Sequence, residues 1–179
     1  VTSKVSLFIL LSLILNVTFS SIAGKAFFSG YNFSNPERVV NGFLEPPYFG
    51  ELFVTHGETT QVLPHQNTWY KLTGFTTSGQ SSGMTADPGN DMIIVNNSGY
   101  YQINLSGDLK TSTGNATFYI AVFINGTESE GCRQQLRDAF YNPVSISCLN
   151  YISSGGQVSA YAVCISNSNK SITMQNLSL

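Results

Sequence analysis

The sequence predicts an all-β fold, a two-sheet antiparallel sandwich spanning residues 50–179. Short apolar runs succeed one another, separated by Gly, Asn and Ser turns. Within several runs apolar and polar residues alternate, as at Tyr101, Ile103 and Leu105, so each strand would bury one face. Aromatic and β-branched residues are plentiful, and no long helical period interrupts them.

Leu52-Phe53-Val54 reads as the first strand, and Trp69 to Phe75 as the second. Thr76 to Asn90 reads as a long polar loop, broken by Gly79, Gly83 and Asp87-Pro88-Gly89. Met92 to Val95 is a third strand, ended by Asn96-Asn97-Ser98-Gly99, and Tyr100 to Leu109 a fourth. Ala116 to Ile124 is a fifth, closed by Asn125-Gly126. Glu130 to Asp138 fits either an edge strand or a short helix. Val144 to Ile152 and Gln157 to Ser166 follow, joined by Ser153-Ser154-Gly155-Gly156, and Ser171 to Leu179 is last. The predicted core sets Tyr101, Ile103 and Leu105 with Phe118, Ile120 and Val122; Val144, Ile146 and Cys148 join Val158, Ala160, Ala162 and Cys164.

Composition narrows the function classes. Charged residues are 10% of the chain, well under the usual share of about 25%. With 42% hydrophobic residues and a net charge of −2, the chain is neither disordered nor suited to attract nucleic acid. Residues 1–23 place Lys4 before an apolar run from Val5 to Leu15, with Ser21-Ile22-Ala23 behind it. That is the pattern of a secretory signal peptide. A retained N-terminal anchor, which would put the protein on a membrane, fits less well because a spanning helix needs about 20 apolar residues. Both readings make residues 1–23 an apolar helix. Residues 24–49 read as a linker or arm, punctuated by Asn35-Pro36 and Pro46-Pro47.

The cysteines, 3 in number, lack the spacing of a metal site. Cys148 and Cys164 share a predicted parity, which leaves open either a disulfide between them or two unpaired core thiols. No nucleophile–base spacing, phosphate-binding loop or metal-protease motif occurs, so no catalytic residue is assigned and no enzyme is expected. His56 and His65 fall in the loop after the first strand and read as solvated. Asp87, Asn90 and Asp91 form an oxygen-rich group that Ca2+ would suit, although an Asp-Pro-Gly turn accounts for them better; no cofactor is expected. Asn-x-Ser/Thr triplets such as those at Asn96, Asn104 and Asn125 are not taken as glycan sites, because several fall within or at the ends of strands.

Tyr100, Tyr119, Phe123, Tyr151 and Tyr161 lie opposite the predicted core, and outward aromatics on several strands suggest a subunit interface. Glu128, Glu130, Arg133, Arg137 and Asp138 gather much of the charge into one loop-rich segment, a candidate recognition surface.

The stretch Ile94-Val95-Asn96-Asn97-Ser98-Gly99-Tyr100-Tyr101-Gln102-Ile103 resembles the strand–turn–Gly-x-Tyr–strand signature of C1q-like domains. Ala121 to Gly126 is similar to that family's next strand, and Ser171 to Leu179 to its last. At Gly156-Gln157 the family's acidic residue is absent, which weakens any carry-over of calcium binding. Gly50 to Val54, Thr59-Thr60 and Trp69 to Phe75 resemble the opening of phage and bacterial C1q-like fibre-tip or head-decoration domains. The resemblance implies a C1q/TNF-like jelly roll that forms a homotrimer. It implies a secreted or virion-surface binding module for a cell-surface glycan or protein. A purely structural trimer (capsid decoration or a fibre cap) and a eukaryotic secreted C1q-like protein are the alternatives.

Overall fold

The computed structural model of the chain describes residues 39–40, 43–44, 48–54, 58–112, 116–136 and 141–179. The expected leader of residues 1–23, most of the arm, and His56, Arg137 and Asp138 lie outside the described residues. No helix occurs among the described residues. The strands are β1 (Val39–Val40), β2 (Phe43–Leu44), β3 (Leu52–Phe53), β4 (Thr59–Leu63), β5 (Tyr70–Lys71), β6 (Thr77–Ser78) and β7 (Met84–Asp87). They continue as β8 (Met92–Val95), β9 (Gly99–Thr111), β10 (Phe118–Ile124), β11 (Thr127–Leu136), β12 (Tyr141–Ile152), β13 (Gln157–Cys164) and β14 (Lys170–Met174).

All pairings are antiparallel. A 6-stranded sheet runs β11-β10-β13-β8-β7, with β5 also on β13, and a 4-stranded sheet runs β12-β9-β14-β4. Their facing sides form one core, which includes Leu105, Phe118, Ile120, Val122, Ile172 and Met174. Each predicted core residue faces it: Cys148 packs against its margin and the others are buried within. Burying that apolar surface is the main drive to fold, at about 25 cal/mol per Å2.

Within residues 50–179 three strands, β4, β6 and β7, lie where the sequence suggested loops, and the short β6 pairs with β3. Thr59–Leu63 pairs with β14, although Thr-Thr-Gln-Val-Leu has little apolar content. Met84–Asp87 pairs with β8 inside the segment expected to be a polar loop. Backbone pairing with a neighbouring strand outweighs weak local propensity in each. The ambiguous segment resolves as strand, with Gly131 at φ 78 interrupting the regular register between Ala121 and Phe123 of its partner.

Beyond β14 the chain keeps to the sheet. Leu52 and Leu179 exchange backbone hydrogen bonds of 3.0 Å each, and Ser106 and Ser178 exchange bonds of 2.9 and 2.8 Å. Residues 177–179 therefore run between β3 and β9. Gly107 makes this crossing feasible: its φ is 144°, and a Cβ there would sit 2.0 Å from the carbonyl oxygen of Asn176.

The disulfide joins Cys132 to Cys148, with Cα atoms 5.6 Å apart, and Cys164 is a buried free thiol. This corrects the Cys148–Cys164 alternative. Cys164 lies on β13, opposite Phe118 and inside the 6-stranded sheet. Cys132 lies on the edge strand β11, facing the edge strand β12 of the other sheet. The bond closes one side of the sandwich.

Candidate binding surfaces

The outward aromatics do not make one patch; the fold divides them between opposite faces. β10 sends Phe118, Ile120 and Val122 inward and Tyr119, Ala121 and Phe123 outward. Phe123 is nonetheless only 6% exposed. The Tyr161 ring stacks on it at 4.0 Å, and the Trp69 ring meets it edge-on at 5.2 Å. The residues before β5 hold Trp69 there, because the Asn67 N–H donates to the Cys164 carbonyl at 2.9 Å and Gln66 Nε2 to that of Ile165 at 2.8 Å. The Arg133 guanidinium lies 4.8 Å above the Tyr119 ring and pairs with Glu128 at 3.3 Å. An aromatic surface bordered by charge thus covers the outside of the 6-stranded sheet. Glu128, Glu130 and Arg133 stand on strand β11 rather than in a loop, which corrects that expectation. The strand, with its irregularity at Gly131 between Glu130 and Arg133, fixes their spacing as a loop would not.

The outer face of the 4-stranded sheet differs. Tyr100 and Tyr151 are direct partners across β9 and β12, with rings 5.3 Å apart and 70° between planes. They are 45% and 55% exposed, and Leu149, two residues along the same face, is 55% exposed. Polar side chains share the face, where Gln102 Nε2 donates to Ser147 Oγ and Thr60 and Thr173 share a hydroxyl contact, and Val62 on β4 is 57% exposed.

The oxygen-rich group is engaged by the backbone. Asp87 accepts from the Asn90 N–H at 3.1 Å and from Asn90 Nδ2 at 2.8 Å. The Asn90 side-chain bond, above all, holds the Asp87 carboxyl below its ordinary range. Asp91 Oδ1 accepts from the Gly74 and Phe75 N–H groups, each at 2.9 Å, tying the β5–β6 connection to the β7–β8 turn. Among the described residues no group of three or more His, Cys, Asp and Glu side chains is placed to hold a metal. His65 is exposed, and its N–H donates to the Tyr70 hydroxyl at 3.1 Å.

Sequence reasoning missed Trp69 and Leu149. Trp69 is the single tryptophan, and its outward parity depends on pairing with β13 that its own run does not reveal. Leu149 was legible: Ser145, Ser147, Leu149 and Tyr151 share one parity, and Leu149 is the apolar exception beside the tyrosine. The sequence matches no protein-family model and no curated protein.

Proposed function

We propose that the chain is a non-enzymatic binding or adhesion module that acts as a homotrimer, secreted or on a virion surface, and recognises a cell-surface glycan or protein. The carrying observation is the open cluster of Tyr100, Leu149 and Tyr151 on the outer face of the 4-stranded sheet, to which β4 adds Val62 at 57% exposure. Apolar side chains grouped in this way are favoured at a contact between copies. The strand pairing supports a jelly-roll reading. β4 pairs with β14, β8 with β13, β9 with β12 and β10 with β11, so the pairs nest with the first strand against the last. That nesting agrees with the resemblance to C1q/TNF-like domains, from which the trimer is taken. Association through the 4-stranded sheet leaves Trp69, Tyr161 and Arg133 outward, where aromatic rings beside charge suit a sugar ring or a protein side chain.

A purely structural trimer is the second reading. It is favoured by the nearly complete cover over Phe123, which leaves less of the aromatic surface for a ligand. Sedimentation equilibrium of the native chain tests the proposal: three times the chain mass is expected, and a stable monomer at micromolar concentration ends both readings. Binding to a panel of surface glycans and cell-surface proteins then separates them.

A further inference from the structure

We propose that the Cys132–Cys148 bond is a site of thiol–disulfide exchange, at which a small external thiol adds to Cys148 and Cys132 leaves as the thiolate. The two sulfurs stand in different surroundings. Cys132 is fully buried, whereas Cys148 is only partly buried and packs against the margin of the core. Exchange is fastest where the attacked sulfur is accessible and the departing one makes a stable thiolate. The seam between β11 and β12 supplies both.

The neighbours of Cys132 decide which sulfur leaves. Ser129 is buried on the same strand, and its hydroxyl donates to Asn150 Oδ1 at 3.0 Å. The same hydroxyl oxygen lies 3.0 Å from Cys132 Sγ, and Asn150 Nδ2 donates to that sulfur at 3.3 Å. In the disulfide the sulfur is a weak acceptor, so the one hydroxyl proton goes to the amide oxygen. Negative charge on Cys132 reverses that order. Rotation about the Ser129 Cβ–Oγ bond turns the proton onto the sulfur, and no heavy atom has to move. The thiolate then accepts from both Ser129 and Asn150. The hydroxyl bond forms only as charge develops, so it lowers the barrier rather than steadying the starting state. Among the described residues no side chain donates to Cys148 Sγ.

The step balances without a separate oxidant or reductant. The incoming thiol gives its proton to solvent, and its sulfur bonds to Cys148 Sγ. The Cys132–Cys148 bond breaks with its electron pair going to Cys132. Attack in return by the Cys132 thiolate restores the disulfide and expels the thiol.

The links on either side set the size of the reagent and make the step reversible. Gln134 Nε2 donates to the Pro143 carbonyl at 2.8 Å, and its Oε1 accepts from the Ser145 N–H at 2.9 Å. These tie β11 to β12 on one side of the sulfurs, and Asn150 ties them on the other whichever acceptor Ser129 serves. The strands therefore stay in place when the bond opens. The space between two such ties suits a slender thiol better than the cysteine of a folded protein.

The test treats the native full chain with reduced glutathione in mildly alkaline buffer. Aliquots receive a brief pulse of iodoacetamide without denaturant, are quenched in acid and are mapped by peptide mass spectrometry. The expected product carries glutathione on Cys148 and the alkyl group on Cys132. Cys164 is the internal control, because it is fully buried in the core and is alkylated only when the whole fold opens. Ser129→Ala should slow adduct formation by roughly tenfold or more, since a hydrogen bond to a charged group is lost. Ser129→Thr, which keeps the hydroxyl, should hold the wild-type rate. Absence of an adduct, adducts on Cys132 or on both sulfurs alike, or alkylation of Cys164 at the rate of adduct formation would overturn the proposal. A Ser129→Ala chain as fast as the wild type, or an equal rate with a folded protein bearing one exposed cysteine, would overturn it too.

Discussion

Tyr101 shows how one side chain serves both packing and polarity. Its ring is buried in the core, and its hydroxyl donates to the Asn97 carbonyl at 2.7 Å. Burial first, and the nearby Tyr48 second, push its phenol above the ordinary value of 10.0. As pH rises through that value the unfolded chain releases this proton before the folded one. The stabilisation is therefore complete below about pH 10 and declines above it as the raised folded value is approached. Tyr101→Phe removes the hydrogen bond and should cost about 1 kcal/mol near neutrality. The gap between the wild type and this variant should narrow above about pH 10. Urea unfolding across that range checks it, and parallel curves would contradict the assignment. The ring's inward direction was legible from its alternation with Ile103 and Leu105. The hydroxyl's partner was not, because it depends on how the Asn96–Ser98 turn folds back.

At the scale of elements, the bond between β11 and β12 joins strands that belong to different sheets. It closes a loop of sequence separation 16, for which chain-entropy arguments give about 3 kcal/mol. Replacing Cys132 and Cys148 together by serine should lower unfolding stability by about that amount in denaturant titration. Peptide mapping without reductant should recover the Cys132–Cys148 link, and thiol titration of the unfolded, unreduced chain should count one free group. Strand β11 explains why sequence left this open. Gln134, Gln135, Leu136 and the residues around them fit helix and strand alike, so the direction of Cys132 had no local signal. β4 and β7 escaped notice for a related reason, since their stability comes from the strands they pair with.

At the scale of the whole molecule, the two sheets turn different surfaces outward. The 4-stranded sheet leaves Tyr100, Leu149 and Tyr151 open, while the 6-stranded sheet gathers Trp69, Phe123 and Tyr161 under partial cover. The two should separate on mutation. Leu149→Glu places a charge on an exposed residue, so the fold should survive while sedimentation shows dissociation to monomer. Trp69→Ala should leave the sedimenting mass unchanged and weaken ligand capture in the same binding panel by roughly tenfold, as loss of an aromatic anchor does. A Leu149→Glu chain that keeps the mass of the wild type would place the contact elsewhere.

The sequence by itself determined that the domain of residues 50–179 is all-β, where the long strands β9, β10, β12 and β13 run, and which of their residues face the core. Those features rest on period-two alternation, which is local and survives without knowledge of neighbours. Tertiary structure alone decided that Tyr100 and Tyr151 lie on a different face of the molecule from Tyr119, Phe123 and Tyr161. It also decided that Cys148 reaches Cys132. Each depends on which strand lies beside or opposite which, and pairing between residues far apart in sequence leaves no trace in the period of either strand.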